Sequence, residues 1–146
     1  MYGTTLIPTG GSDAAFAAVD DAAEVTAPDG TIHVLGVVEE LPTYERSGTP
    51  GVADGGDDDE AEHRRLEAAV ERIETEATAA EIDCETAIAE GVPSREIVAY
   101  AEDVDADAIV MGTRGARDAA GDLLGSTTER VLRDASTTVV SVPASA

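Results

Sequence analysis

The chain has 146 residues, of which 42% are hydrophobic, so it has room for one packed domain and little more. Its 31 acidic residues outnumber the 9 basic ones, the formal net charge is −22, and every basic residue is Arg. Without Lys the chain has neither a Walker-type phosphate loop nor a Schiff-base lysine. This much negative charge also disfavours nucleic acid and anionic lipid membranes as partners.

The sequence contains no recognisable membrane-spanning segment or secretory signal. No apolar run approaches the ~20 residues of a membrane span, and residues 1–5 lack the basic stretch that opens a secretory signal. The single cysteine, Cys84, has no second cysteine with which to form a disulfide within the chain. These features predict a cytoplasmic protein.

The acidic surplus has a physical cost, because like charges repel one another and weaken the compact state. Salt at about 1 M shortens the screening length to about 3 Å and removes most of this repulsion. Together with the absence of Lys and an aromatic content of 3%, the composition resembles that of proteins from salt-accumulating halophiles. The alternative is an ordinary acidic protein. We expect a fold that needs molar salt.

Short apolar runs alternate with helical periods along the first half of the chain. They predict a strand over Thr4–Pro8, a helix that Ser12 caps and that residues 28–30 end, and a buried strand over Thr31–Val38. Residues 41–60 contain four Gly, two Pro and several Asp, a composition that predicts a mobile acidic loop.

The second half continues the alternation. A 4-3-4-3 spacing of apolar residues predicts an amphipathic helix with an inner face formed by Leu66, Val70, Ile73, Ala77 and Ala80. The later predicted elements are a strand over 82–89, a helix opening at 91–94, a strand over 106–111, a glycine-punctuated loop over 112–124, a helix over 126–134 that buries Val131 and Leu132, and a strand over 137–142. The order predicts an α/β fold, a single Rossmann-like domain over 1–146 with a doubly wound parallel sheet of five strands.

Two glycine-rich connections follow predicted strands, one over residues 8–12 and one over 111–127. Ligands of open α/β sheets bind at the carboxyl ends of the strands, where the strand order reverses, so these loops face each other if strands one and four are neighbours. Ser126 and Thr127 then lie at a helix N-terminus, whose free backbone N–H groups favour phosphate. Arg114 and Arg117 add positive charge. The same residues also fit a tight loop and a capped helix with no ligand.

The spacing Gly112-x2-Gly115-x9-Gly125-Ser126 resembles the nucleotide-binding pattern of the universal stress protein family, and the similarity extends over nearly the whole chain. The resemblance implies the strand order 3-2-1-4-5, a homodimer through the C-terminal edge strand, and bound ATP with a divalent ion, Mg²⁺ or Mn²⁺, held mainly by the phosphates. The residues that it implies are Pro8, Thr9 and Val37 for the adenosine, Met111, Gly112, Arg114 and Gly115 for the ribose and phosphates, and Gly125, Ser126 and Thr127 for the phosphate tail.

Gly10 also belongs to the predicted site, but it departs from the family pattern. The family usually has Asp after Pro-Thr in the first turn, where the carboxylate contacts the adenosine. Loss of these hydrogen bonds would cost about 1–3 kcal/mol, which is one or two decades of ATP affinity. The departure leaves open a dimeric stress or interaction module that binds no nucleotide.

Residues Thr9–Asp13 are similar to the Ser-Gly-Gly-x-Asp-Ser loop of ATP pyrophosphatases, so an adenylating enzyme is a further alternative. No Gly-x-Gly-x-x-Gly follows strand one, which disfavours a nicotinamide enzyme. His33 is expected to pack on a strand, His63 to lie on a solvated helix face, and Cys84 to fill the core. Residues 57–60 lack the spacing of a calcium loop. We therefore expect at most slow ATP hydrolysis.

Overall fold

The computed structural model describes residues 1–11, 13–39, 55–112 and 126–142, in which strands and helices alternate. The described elements are β1 (Tyr2–Thr9), α1 (Asp13–Ala17), α2 (Val19–Val25), β2 (Thr26–Glu39), α3 (Gly55–Ala79), β3 (Asp83–Gly91), α4 (Pro93–Asp103), β4 (Ala108–Gly112), α5 (Ser126–Asp134) and β5 (Thr138–Val142). Within these ranges no helix combines the length and the apolar composition that crossing a bilayer requires.

The five strands form one sheet in the order β3-β2-β1-β4-β5, and every neighbouring pair is parallel. The predicted α/β class and the strand order 3-2-1-4-5 are confirmed. The order runs outward from β1 to β3 on one side and from β4 to β5 on the other. The sheet therefore has its switch point between β1 and β4, which lie side by side with Leu6 opposite Ile109.

Each face of the sheet carries its own core, because side chains alternate along the strands. Ile7, Ile32 and Val110 face α1, α2 and α3, whereas Leu6, Leu35 and Ile109 face α4 and α5. All six of these side chains are buried. A sheet covered on both faces fits the near-continuous apolar runs of its central strands.

Helix α3 lies unusually close to β2 at Gly36. A Cβ added at Gly36 would lie 2.9 Å from Val70 Cγ2 and 3.0 Å from Leu66 Cγ. Because Gly36 has no side chain, the inner face of α3 can pack directly against β2. The predicted members of that face, Leu66, Val70, Ile73 and Ala77, are buried. The fifth predicted member, Ala80, is exposed, because α3 ends at Ala79 and Ala80 lies in the following turn.

The segment around Pro28 differs from the prediction. The preceding helix ends at Val25, and residues 28–30 belong to the start of β2 instead of ending the helix. Thr26 already has extended backbone angles (φ −90°, ψ 134°) and pairs with Tyr2, and the β1–β2 register then shifts between Tyr2 and Thr4. Residues 28–30 occupy that irregularity, so turn-forming residues are accommodated inside a strand.

Three further predictions need correction. The helix predicted after Ser12 is interrupted at Ala18, between α1 and α2. Residues 55–60 of the predicted acidic loop belong to α3, and the earlier part of that loop lies outside the described residues. Leu132 is 42% exposed although Val131 is fully buried, because adjacent helical residues point about 100° apart and one narrow face cannot hold both.

Candidate functional site

The carboxyl ends of β1 and β4 define the candidate site, because the strand order reverses there and the helices that come next along the chain pack on opposite faces of the sheet. The residues predicted from the sequence are distributed around this edge. Pro8 and Thr9 end β1, Val37 lies near the end of β2, and Met111 and Gly112 end β4. The topology thus brings the predicted base-side and phosphate-side residues to one edge of one sheet.

Three of these residues share a face of the sheet. Val37 and Met111 pack in the core that faces α4 and α5, and each is 6% exposed. Pro8 is buried and lies two residues beyond Leu6 of the same core, so strand alternation places it on that face too. Helix α5 covers this face through Val131. Pro8, Val37 and Met111 thus form an apolar wall on the face of the sheet that α5 covers.

The turn after β1 is exposed and made of two glycines with different roles. Thr9 is buried, and its Oγ1 accepts a hydrogen bond from the Gly11 backbone N–H at 3.0 Å. Gly11 has φ +98°, a left-handed conformation that favours glycine. Gly10 has no left-handed φ, and a Cβ there would meet no atom within 4 Å. The backbone thus needs glycine at Gly11 but would accept a side chain at Gly10.

The first turn of α5 is fastened to the end of β4. Helix α5 begins at Ser126, Thr127 is half-buried, and Thr128 is 3% exposed. The Thr128 Oγ1 donates a hydrogen bond of 2.8 Å to the backbone carbonyl of Gly112. This contact holds the helix N-terminus, with its free N–H groups and positive dipole end, beside the last residue of β4.

Sequence reasoning missed Thr128, because the family pattern stops at the two residues before it. Its signal was present in the run Ser126-Thr127-Thr128, in which helical geometry turns successive hydroxyls to different sides. Three predicted site residues, Arg114, Gly115 and Gly125, lie outside the described residues. Arg117, predicted to add charge there, also lies outside them.

Outside this edge, the titratable groups that stand out belong to packing. His33 is 8% exposed, and its Nδ1 lies 3.2 Å from the Tyr100 hydroxyl, while its Nε2 lies 3.7 Å from Glu85 Oε2. His63 lies on an exposed helix face, as predicted, and its Nε2 is 3.2 Å from Glu67 Oε1. Burial, and secondarily the charge of Glu85, raises the pKa of Tyr100.

Cys84 has the chemistry of a packed thiol. It is half-buried against the core formed with α1, α2 and α3. Burial, with smaller contributions from the carboxylates of Glu74 and Glu85, raises the pKa of Cys84 to about 11. At neutral pH the group is therefore a neutral thiol and a poor nucleophile, in agreement with the predicted role of a small core residue.

Away from this edge, the described residues contain no metal cluster, and the groove between α3 and β3 is small. In the ranges that the structure describes, no three His, Cys, Asp or Glu side chains are grouped so that they could hold a metal ion. A groove of about 150 Å³ lies between α3 and β3, where its lining includes Glu67, Val70, Thr86 and Ile88. This volume is below the roughly 300–1,000 Å³ of typical small-molecule sites.

Comparisons with known proteins agree with this architecture. The sequence model of the universal stress protein family matches residues 1–143. Universal stress protein MJ0531 of Methanocaldococcus jannaschii is 32% identical over 136 residues, covering 92% of this chain and 78% of that protein.

Solved structures of universal stress proteins are similar in fold to this chain. The universal stress protein UspA of Lactobacillus plantarum superposes with a TM-score of 0.81 at 25% identity, covering 97% of each chain. A universal stress protein solved in complex with cAMP has a TM-score of 0.69 at 29% identity, covering 99% of this chain and 98% of that one. With a family match over almost its full length and the sheet order that the family pattern implies, the chain belongs to the universal stress protein family.

Proposed function

We propose that this stress protein binds an adenine nucleotide, ATP, in the crevice between the connections that follow β1 and β4. The observation that carries the proposal is the junction of α5 with β4, where the Thr128–Gly112 hydrogen bond of 2.8 Å sets a helix N-terminus against the switch point. The buried wall of Pro8, Val37 and Met111 beside it suits an apolar base. Support also comes from the family member of similar fold that binds cAMP.

Each predicted residue has a physical role in this proposal. Pro8, Thr9 and Val37 would line the adenosine, since they form the buried end of β1 and the adjoining part of β2, and Gly10 would do so from the exposed turn that follows β1. The ribose and phosphates would be held by Met111, Gly112, Arg114 and Gly115, and the phosphate tail by Gly125, Ser126 and Thr127. Backbone N–H groups at a helix start bind phosphate oxygens without Lys, which this chain lacks.

The divalent ion belongs to the ligand in this proposal. Among the described residues no cluster of His, Cys, Asp or Glu is arranged to hold a metal, so Mg²⁺ or Mn²⁺ would arrive with the phosphates. No described side chain at the crevice has the character of a general base, and we propose that the nucleotide is retained or turned over slowly in the cytoplasm. The bound nucleotide would then act as a regulatory signal.

Calorimetry with ATP and Mg²⁺ in molar KCl tests the proposal, together with mass spectrometry of any nucleotide released from the purified protein. We expect binding to the wild-type chain and weaker binding to Arg114→Ala. Arg95→Ala is the matched control, because Arg95 is an exposed arginine at the start of α4. No heat of binding and no copurified nucleotide would overturn the proposal.

Gly10 favours the second candidate function, a dimeric interaction module without nucleotide. Because glycine has no side chain, no carboxylate reaches the crevice from this position, although the space that a Cβ would occupy has no atom within 4 Å. The same calorimetry separates the two functions, because the module would give no heat with ATP at any salt concentration.

We also propose that two copies pair through β5. Within the described residues, β5 pairs only with β4, and none of its five residues is charged. At the opposite edge β3 carries exposed Asp83, Glu85 and Glu90, which repel a second copy. In a chain of charge −22, self-association is favoured at the uncharged edge.

Sedimentation in molar KCl tests the dimer. The wild-type chain and a Thr86→Asp control on β3 should both sediment as dimers. Thr138→Asp combined with Ser141→Asp places carboxylates at exposed positions of β5 and should yield monomers. A monomeric wild-type chain, or a double variant that remains dimeric, contradicts the proposal.

A further inference from the structure

Thr128 is the one residue of the first turn of α5 whose side chain is nearly fully buried and hydrogen-bonded in the described structure. It is 3% exposed, and its Oγ1 donates to the Gly112 carbonyl at 2.8 Å across 16 positions of the sequence. Gly112 is the last residue of β4 and pairs with Val142 of β5. The contact therefore joins the start of a helix to the end of a strand in the middle of the proposed site.

The hydrogen bond determines what the Thr128 hydroxyl can do. A threonine hydroxyl has one proton, and here the Gly112 carbonyl receives it. Thr128 Oγ1 consequently has no proton left to donate to a phosphate oxygen. Any contribution of this side chain to phosphate binding therefore has to be indirect, through the placement of the backbone groups around it.

The placement matters because this hydrogen bond connects the first turn of α5 directly to the end of β4. The anchor of α5 in the core is Val131, which lies nearly one turn further along the helix. Leu132, the other large apolar side chain of α5, is 42% exposed and adds little to the anchoring. Among the described contacts, the Thr128 hydrogen bond is what fixes the first turn of α5 laterally against β4.

We propose that Thr128 is a positioning residue for the phosphate half of the ligand. By holding the first turn of α5 on Gly112, it aims the free N–H groups of that turn into the crevice at the end of β4. This inference rests on the proposed function, since it assigns a role within the same nucleotide site. It predicts an effect confined to the phosphates, because the base would lie on the apolar wall of Pro8, Val37 and Met111.

The test compares Thr128→Val with Thr128→Ser, using ATP and adenosine as separate ligands in molar KCl. Thr128→Val keeps the shape and removes the hydroxyl, and we expect ATP affinity to fall about threefold to tenfold, the value of one hydrogen bond. Adenosine affinity should change less than about twofold. Thr128→Ser keeps the hydroxyl and should retain ATP affinity within about twofold.

Thr26→Val provides the control for a purely structural effect. Thr26 is 1% exposed, and its Oγ1 donates to the Ala22 carbonyl at 2.6 Å and accepts from Thr5 Oγ1 at 2.8 Å, so it offers a buried hydroxyl-to-carbonyl bond outside the site. This variant should lower resistance to urea and leave ATP affinity unchanged. Urea unfolding of every variant shows whether ATP affinity and stability change independently.

Several results would overturn the inference. Thr128→Val could bind ATP as tightly as the wild type, it could lose ATP and adenosine affinity equally, or Thr128→Ser could lose as much ATP affinity as Thr128→Val. If Thr128→Val does not fold, Thr128→Ser decides, since a loss of ATP affinity in a folded chain that keeps the hydroxyl contradicts the proposal. A wild-type chain that binds no ATP instead overturns the proposed function itself.

Discussion

Replacing Gly10 by Asp should strengthen nucleotide binding. The turn after β1 has room for the change, because a Cβ at Gly10 would meet no atom within 4 Å and the backbone there has no left-handed φ. The neighbouring Gly11, with φ +98°, is left unchanged, so the turn keeps its shape. The substitution thus restores the carboxylate typical of the family without straining the backbone.

The expected gain follows from the chemistry of one charged hydrogen bond. Hydrogen bonds that involve a charged group contribute about 1–3 kcal/mol, which corresponds to about one to two decades in the dissociation constant. The added charge changes the net charge only from −22 to −23. In about 1 M KCl the screening length is about 3 Å, so repulsion between this carboxylate and more distant phosphates is small.

Calorimetric titration of ATP into Gly10→Asp in molar KCl measures the gain. Gly10→Ala is the control for the loss of glycine flexibility, and Gly10→Asn keeps the shape of Asp without its charge. Both controls should bind ATP more weakly than Gly10→Asp. If Gly10→Asp is as stable as the wild type and binds ATP no more tightly, the assignment of this turn to the adenosine is wrong.

Three further outcomes are expected. Gly36→Ala should lower the free energy of unfolding by about 1–3 kcal/mol in urea titrations, because the new methyl would lie 2.9 Å from Val70 Cγ2. The control Gly10→Ala, whose methyl would have no neighbour within 4 Å, should leave the free energy of unfolding nearly unchanged. Equal stabilities of the two variants would contradict the close packing of α3 on β2. Because the pKa of Cys84 is raised from 9.0 to about 11, a disulfide reagent at pH 8 should label the folded chain about 100-fold more slowly than the unfolded chain, and equal labelling rates would refute the burial of this thiol. The neutral thiol should also stabilise the fold below about pH 9, and this stabilisation should be lost as the pH rises toward 11. Dialysis from molar KCl into dilute buffer should unfold the chain, as followed by far-UV circular dichroism, because 22 uncompensated negative charges then repel one another without screening. An unchanged spectrum would show that this repulsion does not destabilise the fold.

The regular elements could be predicted from the sequence because each follows one dominant signal. Helix α5 begins at Ser126 and ends at Asp134 as predicted, and α4 begins at Pro93, a residue suited to the first turn of a helix. The strand order followed from the family pattern, and the position of the site at the switch point followed from the order. These features depend on local composition or on topology, which sequence reveals well.

The remaining features depend on tertiary contacts that no local pattern encodes. Residues 28–30 look like a turn, but pairing of β2 with β1 draws them into a strand. Leu132 looks like a core residue, but Val131 is the residue that faces the core, and Leu132 points toward solvent. Helical geometry turns Thr127 and Thr128 to different sides, but only the position of the Gly112 carbonyl shows which of them is hydrogen-bonded.

The contrast between the two outer strands has a consequence for the size of any assembly. If two copies join along β5 about a two-fold axis, the result is a continuous sheet of ten strands that ends on β3 at both sides. Because each of those ends bears Asp83, Glu85 and Glu90, further growth would bring rows of like charge together. The chain would thus form a closed pair and resist further growth of the sheet, most strongly in dilute salt, where the repulsion between these edges is least screened.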